Sequence, residues 1–81
     1  MNGISYKKMM GEFILYKDGI IFGGIYDNRF LIKETKSTSR LNLKKQTPYP
    51  GGSDMLLVDT EDSDEINDLI IMVCNDLRKG S

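Results

Sequence analysis

Histidine and tryptophan are absent from the sequence, and cysteine occurs once. Without histidine there is no Ser-His-Asp or Cys-His catalysis, no imidazole metal ligand and no histidine pH switch. A lone Cys74 makes neither an internal disulfide nor a four-cysteine zinc site. Four tyrosines and three phenylalanines are the only aromatics, so large binding anchors are scarce. Apolar runs are short, far below the roughly 20 residues that span a bilayer. The segment from Met1 to Lys8 has no apolar signal core.

What remains is one small domain of 81 residues. A chain this size buries about 60–65% of its unfolded surface, which leaves a thin stability margin. Such domains usually rely on a disulfide, a metal or a partner chain. With disulfides excluded and no metal motif, a homo-oligomer, most simply a homodimer, is the expectation. The single cysteine beside five methionines fits a reducing cytoplasm.

The formal net charge of −1 hides an asymmetry. Residues 1–46 hold nine basic and four acidic side chains, a net of +5, and residues 47–81 hold two basic and eight acidic, a net of −6. Either the basic half faces nucleic acid, or the halves attract each other within the fold or across a dimer. The dispersed basic set favours the second alternative.

Residues 12–34 read as a β-meander. Glu12–Lys17, Ile20–Tyr26 and Arg29–Lys33 are rich in β-formers and are separated by Asp18-Gly19 and Asp27-Asn28, pairs that tolerate the positive φ of tight turns. Residues 5–10 read as extended, with Gly11 allowing a bulge that carries the strand on into residues 12–17. Gly23-Gly24 in mid-strand implies a bulge or a close backbone approach. Thr35 and Ser37 are candidate caps for a short, solvated helix containing Lys36, Arg40 and Leu41. Residues 47–52 read as a loop or brief edge segment, and residues 55–59 as a covered strand.

The last element is the clearest. Ile66, Leu69, Ile70, Val73 and Leu77 share one helical face. Asp62 or Ser63 caps it, Asp64 and Glu65 suit its start, Arg78 and Lys79 its end, and Gly80 stops it. Ile71 and Met72 lie off that stripe, so the helix needs a second neighbour. The expected architecture is α+β: two layers, an antiparallel sheet with a short middle helix and a C-terminal helix on one face.

No motif carries catalysis. The acidic run 59–65 lacks the glycine and glutamate of a calcium loop and reads as a helix cap. The glycine pairs sit in no phosphate-binding pattern. Cys74 reads as a small buried hydrophobe. The reading therefore includes no cofactor, no metal and no catalytic residue. Lys36, Arg40, Lys44 and Lys45, with Lys33, form a basic stretch that would contact phosphates if the chain bound nucleic acid, though it lacks stacking aromatics. Met9 and Met10 are expected on a strand, one entering the core and one the opposite face. Together with Ile71 and Met72 they form the candidate interaction surface.

Several segments resemble the TfoX N-terminal domain family, related to the TfoX/Sxy competence regulators. They are Tyr6-Lys7-Lys8-Met9-Met10-Gly11-Glu12, Tyr16-Lys17-Asp18-Gly19, the stretch from Gly24 to Lys33, Pro48-Tyr49 and the stretch from Met55 to Asp59. The resemblance covers about residues 4–79. It implies a small α+β fold with helices flanking an antiparallel sheet. It also implies regulation through protein contacts rather than catalysis. Family members carry a helix ahead of the Tyr-Lys-Lys segment, and the longer regulators carry a C-terminal domain. This chain begins almost at that segment, so the expectation is an uncovered apolar surface that a second chain covers.

Three functions follow in order. The first is a non-enzymatic cytoplasmic interaction domain with an unidentified protein partner, in competence-type transcriptional regulation. The second is a nucleic-acid-binding module using residues 33–45. The third is an enzyme or small-ligand protein, for which the polar constellation is missing. No membrane association is expected.

Overall fold

The structure, a computed structural model, describes residues 3–79. Met1, Asn2 and Gly80, the expected helix stop, lie outside the described residues. The order of elements is β1 (Ile4–Met9), β2 (Glu12–Lys17), β3 (Ile20–Tyr26), β4 (Arg29–Lys33), a 3₁₀ turn (Thr38–Leu41), β5 (Lys45–Gln46), β6 (Met55–Leu57) and α1 (Ser63–Arg78). The strands form one antiparallel sheet in the order β1-β2-β3-β4-β6-β5. The fold is α+β, with α1 on one face.

Three two-residue turns build the meander. Asp18-Gly19 has φ values of 51° and 84°, and Asp27-Asn28 of 53° and 63°. Positive φ at both central residues gives the turn twist that matches the flanking strands. Met10-Gly11 is the third such turn, with φ values of 48° and 85°. Here the structure corrects the expectation: Gly11 bends the chain through a full hairpin, not a bulge. Met9 pairs with Glu12, and β1 runs back along β2. Met10 therefore sits at a turn tip and Met9 on an exposed strand end, and neither enters the core.

The bulge lies elsewhere. Leu15 faces Gly23 while Tyr16 faces Ile21, so Phe22 is the extra residue of β3. Its ring is buried in the helix-side core with Ile32, Leu56, Val58, Ile70, Val73 and Cys74. The close approach expected at Gly23-Gly24 is present. A Cβ on Gly24 would stand 2.5 Å from the Phe13 carbonyl oxygen and 2.8 Å from the Tyr26 ring.

Helix α1 starts as its sequence dictates. The Asp62 carboxylate accepts from the N–H groups of Asp64 (2.9 Å) and Glu65 (3.3 Å), satisfying two orphan donors of the first turn. Lys79 closes the helix by donating its N–H to the carbonyls of Asn75 and Asp76, both at 3.2 Å. Arg78 reaches Asp18 at 3.3 Å, which fixes the helix end beside the β2–β3 turn.

The expected middle helix is a four-residue 3₁₀ turn. It is held from below, since Thr35 and Thr38 are buried and bond each other. The Thr35 N–H donates to Thr38 Oγ1 at 2.7 Å, and the two hydroxyls lie 3.1 Å apart. The Ser37 side chain makes no cap. Ser37 instead donates its N–H (2.9 Å) and its hydroxyl (3.1 Å) to the Asp76 carboxylate. This bond ties the turn to α1, and it holds the Asp76 carboxyl below the usual aspartate range. The segment also gives α1 a second neighbour on its Met72 flank, while Ile71 stays exposed. Leu41 and Leu43 line a groove with Leu69 and Met72 on one flank of the helix.

Candidate interaction surface

Alternation assigns the strands' side chains to two faces. Cross-strand partners share a face, so Tyr6 and Leu15, Lys8 and Phe13, Phe13 and Ile25, and Ile25 and Phe30 all lie on the α1 side. Helix α1 packs chiefly on β3 and β4, and Ile4 of β1 and Leu15 of β2 are partly buried against the same core. The part of the helix-side face around Tyr6, beyond that core, is left open.

An apolar stripe fills this open part. Tyr6, Phe13, Leu15 and Ile25 line a shallow hollow of about 180 Å³ with no polar surface in its lining. Tyr6 is 68% exposed and Ile25 38%. The Tyr6 and Phe13 rings meet edge-on, 5.7 Å between centroids, so the stripe is already ordered without a partner. Ile71 is exposed on α1. On the helical wheel Ile71 falls on the same flank as Cys74 and Arg78, the flank turned towards β2 by the Arg78–Asp18 contact.

The opposite face carries its own cover. The loop from Thr47 to Asp54 folds back over β3 and β4, and Arg29 holds it there. Arg29 donates to Gln46 Oε1 (2.8 Å), to the carbonyls of Thr47 (3.2 Å) and Pro48 (3.3 Å), and through Nε to the Tyr26 carbonyl (3.2 Å). Tyr49 then leans on Tyr26, 6.5 Å between ring centroids. Beneath lies a cleft of about 350 Å³ whose walls include Ile21, Tyr26, Lys33, Tyr49 and Met55. Burial pushes the Tyr26 hydroxyl pKa up, and the nearby Glu12 carboxylate and Tyr49 add to it, so Tyr26 stays neutral. Burial likewise raises the Cys74 thiol, against the opposing charges of Arg78 and Lys17. A protonated, buried thiol is a packing group and not a nucleophile.

The sequence-expected site residues fall in separate places. Met9 and Met10 are at the β1–β2 hairpin end, Ile71 on an exposed flank of α1, and Met72 in the groove with Leu41 and Leu43. Lys36 and Arg40 are exposed around the 3₁₀ turn, and Lys44 is exposed just before β5. Lys45 pairs with Glu34 at 3.3 Å. The stripe itself was missed. Its signal is the shared parity of Tyr6, Phe13, Leu15 and Ile25, which needs the Met10-Gly11 turn to be read as a hairpin. Among the described residues no cluster of three or more acidic or cysteine side chains is placed to hold a metal, and no helix is long and apolar enough to cross a membrane. Compared with protein-family models, curated proteins and solved structures, the chain matches none.

Proposed function

We propose that the chain is a non-catalytic, cytoplasmic protein-interaction domain of regulatory type, similar in role to the N-terminal domain of TfoX-type transcriptional (competence) regulators. The observation that carries this reading is the open stripe of Tyr6, Phe13, Leu15 and Ile25. A small domain keeps few aromatics, and this one leaves two of its seven on the open part of the sheet face. A cluster of exposed aromatic and branched apolar side chains suits contact with another protein. The family resemblance of the β1–β4 segments points to the same role, and the single cysteine beside five methionines fits a reducing compartment.

The test is co-purification from the native cytoplasm with the intact chain and with Ile25→Asp. Ile25 is partly solvent-exposed, so the charge enters the stripe without entering the core. The expected outcome is one or more proteins retained by the intact chain and lost with Ile25→Asp at unchanged helicity. Retention that ignores Ile25 would overturn the reading. So would capture only of nucleic acid that is lost with Lys44→Glu/Lys45→Glu and falls steeply with salt.

A further inference from the structure

The sheet ends in two unlike edges. At one, β5 has two residues, and the chain beside it is held by Arg29. A strand that short blunts its edge. At the other, β1 has six residues and is exposed from Ser5 to Met9. Its hydrogen-bonding phase is definite. The two-residue turn makes Met9 and Glu12 a bonded pair, and the Asp18 N–H donates to the Gly3 carbonyl at 2.9 Å. Bonded pairs alternate with non-bonded ones along an antiparallel ladder. Ser5 and Lys7 thus turn their backbone groups towards β2. Ile4, Tyr6 and Lys8 turn theirs outwards, where no strand among the described residues meets them. The side chains of these outward residues share the stripe's face.

Charge decides which strand suits this edge. β1 and β2 carry Lys7, Lys8 and Lys17 against one acid, Glu12, which lies near Tyr26 on the face away from α1. Among the described residues no ion pair engages Lys7 or Lys8. Alternation puts Lys8 on the stripe's face and Lys7 on the other, so each face of the edge presents an ammonium group. A copy of β1 would bring the same lysines to the edge, and like charges across a strand pair repel. A segment bearing carboxylates brings the opposite sign. Resting on the interaction reading above, we infer that β1 takes up a short, extended, acidic segment of a partner protein, added antiparallel as a further strand of the sheet. Main-chain bonds to the outward residues supply affinity, and alternate side chains supply specificity. Antiparallel pairing is the more stable per residue, and it fixes the order of the segment. The residues facing Lys8 and Lys7 are acidic, the next faces Tyr6 and is apolar, the next faces Ser5 and is unrestricted, and the last faces Ile4 and is apolar. The first apolar side chain then continues the stripe beyond Tyr6.

The probe is the peptide Gly-Glu-Glu-Val-Thr-Val-Gly, titrated into the isotope-labelled intact chain and followed by NMR. Saturable shifts of the Ile4, Tyr6 and Lys8 amides are expected. Methylating the backbone nitrogen of the first valine, which faces Tyr6, deletes an inward bond and is expected to weaken binding about five- to tenfold. Methylating the threonine nitrogen, which points away from β1, is expected to change nothing. Lys7→Glu/Lys8→Glu, with unchanged far-UV circular dichroism, is expected to bind this peptide about tenfold less tightly and to prefer Gly-Lys-Lys-Val-Thr-Val-Gly. The absence of saturable shifts at millimolar peptide overturns the inference. So do equal losses from the two methylated peptides, and binding that ignores the charge exchange. Equivalent shifts with a single-stranded oligonucleotide, or on concentrating the chain alone, overturn it in favour of nucleic acid or a second copy. If the peptide fails to bind but Ile25-dependent capture of another protein persists, this inference falls and the interaction reading stands; if that capture is also missing, both fall.

Discussion

Arg29 is the clamp that holds residues 47–54 over the face of the sheet away from α1, and its removal has a size that the geometry sets. Arg29→Met keeps the aliphatic stem and deletes the donors. The bond to the Thr47 carbonyl is solvent-exposed, so water replaces it at little cost. The bonds to Gln46 Oε1, the Pro48 carbonyl and the Tyr26 carbonyl are partly buried, at 2.8, 3.3 and 3.2 Å. Taking about 0.5–1 kcal/mol for each, because they are long or half-wet, gives a loss of about 2 kcal/mol. For a domain of this length that lowers Tm by about 10 °C. Urea unfolding followed by circular dichroism reads the first quantity and a thermal scan the second. A further readout is local: the Tyr26–Tyr49 ring contact, 6.5 Å in the intact chain, is expected to disappear from ring-proton NMR spectra. A loss below about 0.5 kcal/mol with the ring contact intact would refute the reasoning, and would mean that the loop docks by Pro48 and Tyr49 packing alone.

Other perturbations act through different physics. Gly23→Ala would drive a Cβ into the Leu31 carbonyl oxygen and to 2.9 Å from the Ile32 Cα, both backbone, so the strand pair must part. The expected loss is about 3 kcal/mol by denaturant unfolding, and a neutral result would show that the bulge can relax. Cys74 is expected to resist alkylation at neutral pH until the chain unfolds, since the thiol is buried and its pKa raised; stoichiometric labelling of folded protein would contradict this. Asp76 has a lowered pKa because the Ser37 N–H bonds its charged form. Its contribution is full above the ordinary aspartate pKa and is lost as pH falls through the lowered one. Asp76→Asn is therefore expected to flatten the acid side of the stability profile, measured by unfolding at a series of pH values. An unchanged profile would mean that the bond is not formed in solution.

Much of the fold is legible in the sequence because its signals are local. Asp18-Gly19 and Asp27-Asn28 announce tight turns by residue type, and β2 to β4 follow between them with the expected bounds. Asp62, the apolar stripe from Ile66 to Leu77, and the basic end at Arg78 similarly define α1. Met10-Gly11 lacks an Asn or Asp partner for its glycine, so the turn type is not announced, and a hairpin there reads as a bulge. That single misreading hides the open stripe, because it leaves Tyr6 without a cross-strand neighbour. The Arg29 clamp and the Ser37–Asp76 bond join residues far apart in the chain, and no periodicity reports them. The ion pairs among the described residues include Lys45–Glu34, within the basic half, and Arg78–Asp18, which joins the halves with the signs reversed.

The central claim is that protein covers the stripe when the domain is at work. Hydroxyl-radical footprinting of tyrosines tests it most directly, because the chain carries its own control. Tyr6 in the stripe is 68% exposed and Tyr49 on the loop over the opposite face is 52% exposed. In dilute purified protein Tyr6 is expected to be labelled at least as fast as Tyr49. In the native cytoplasm Tyr6 is expected to be protected several-fold while Tyr49 is unchanged. An equal Tyr6-to-Tyr49 ratio in both settings would contradict the account.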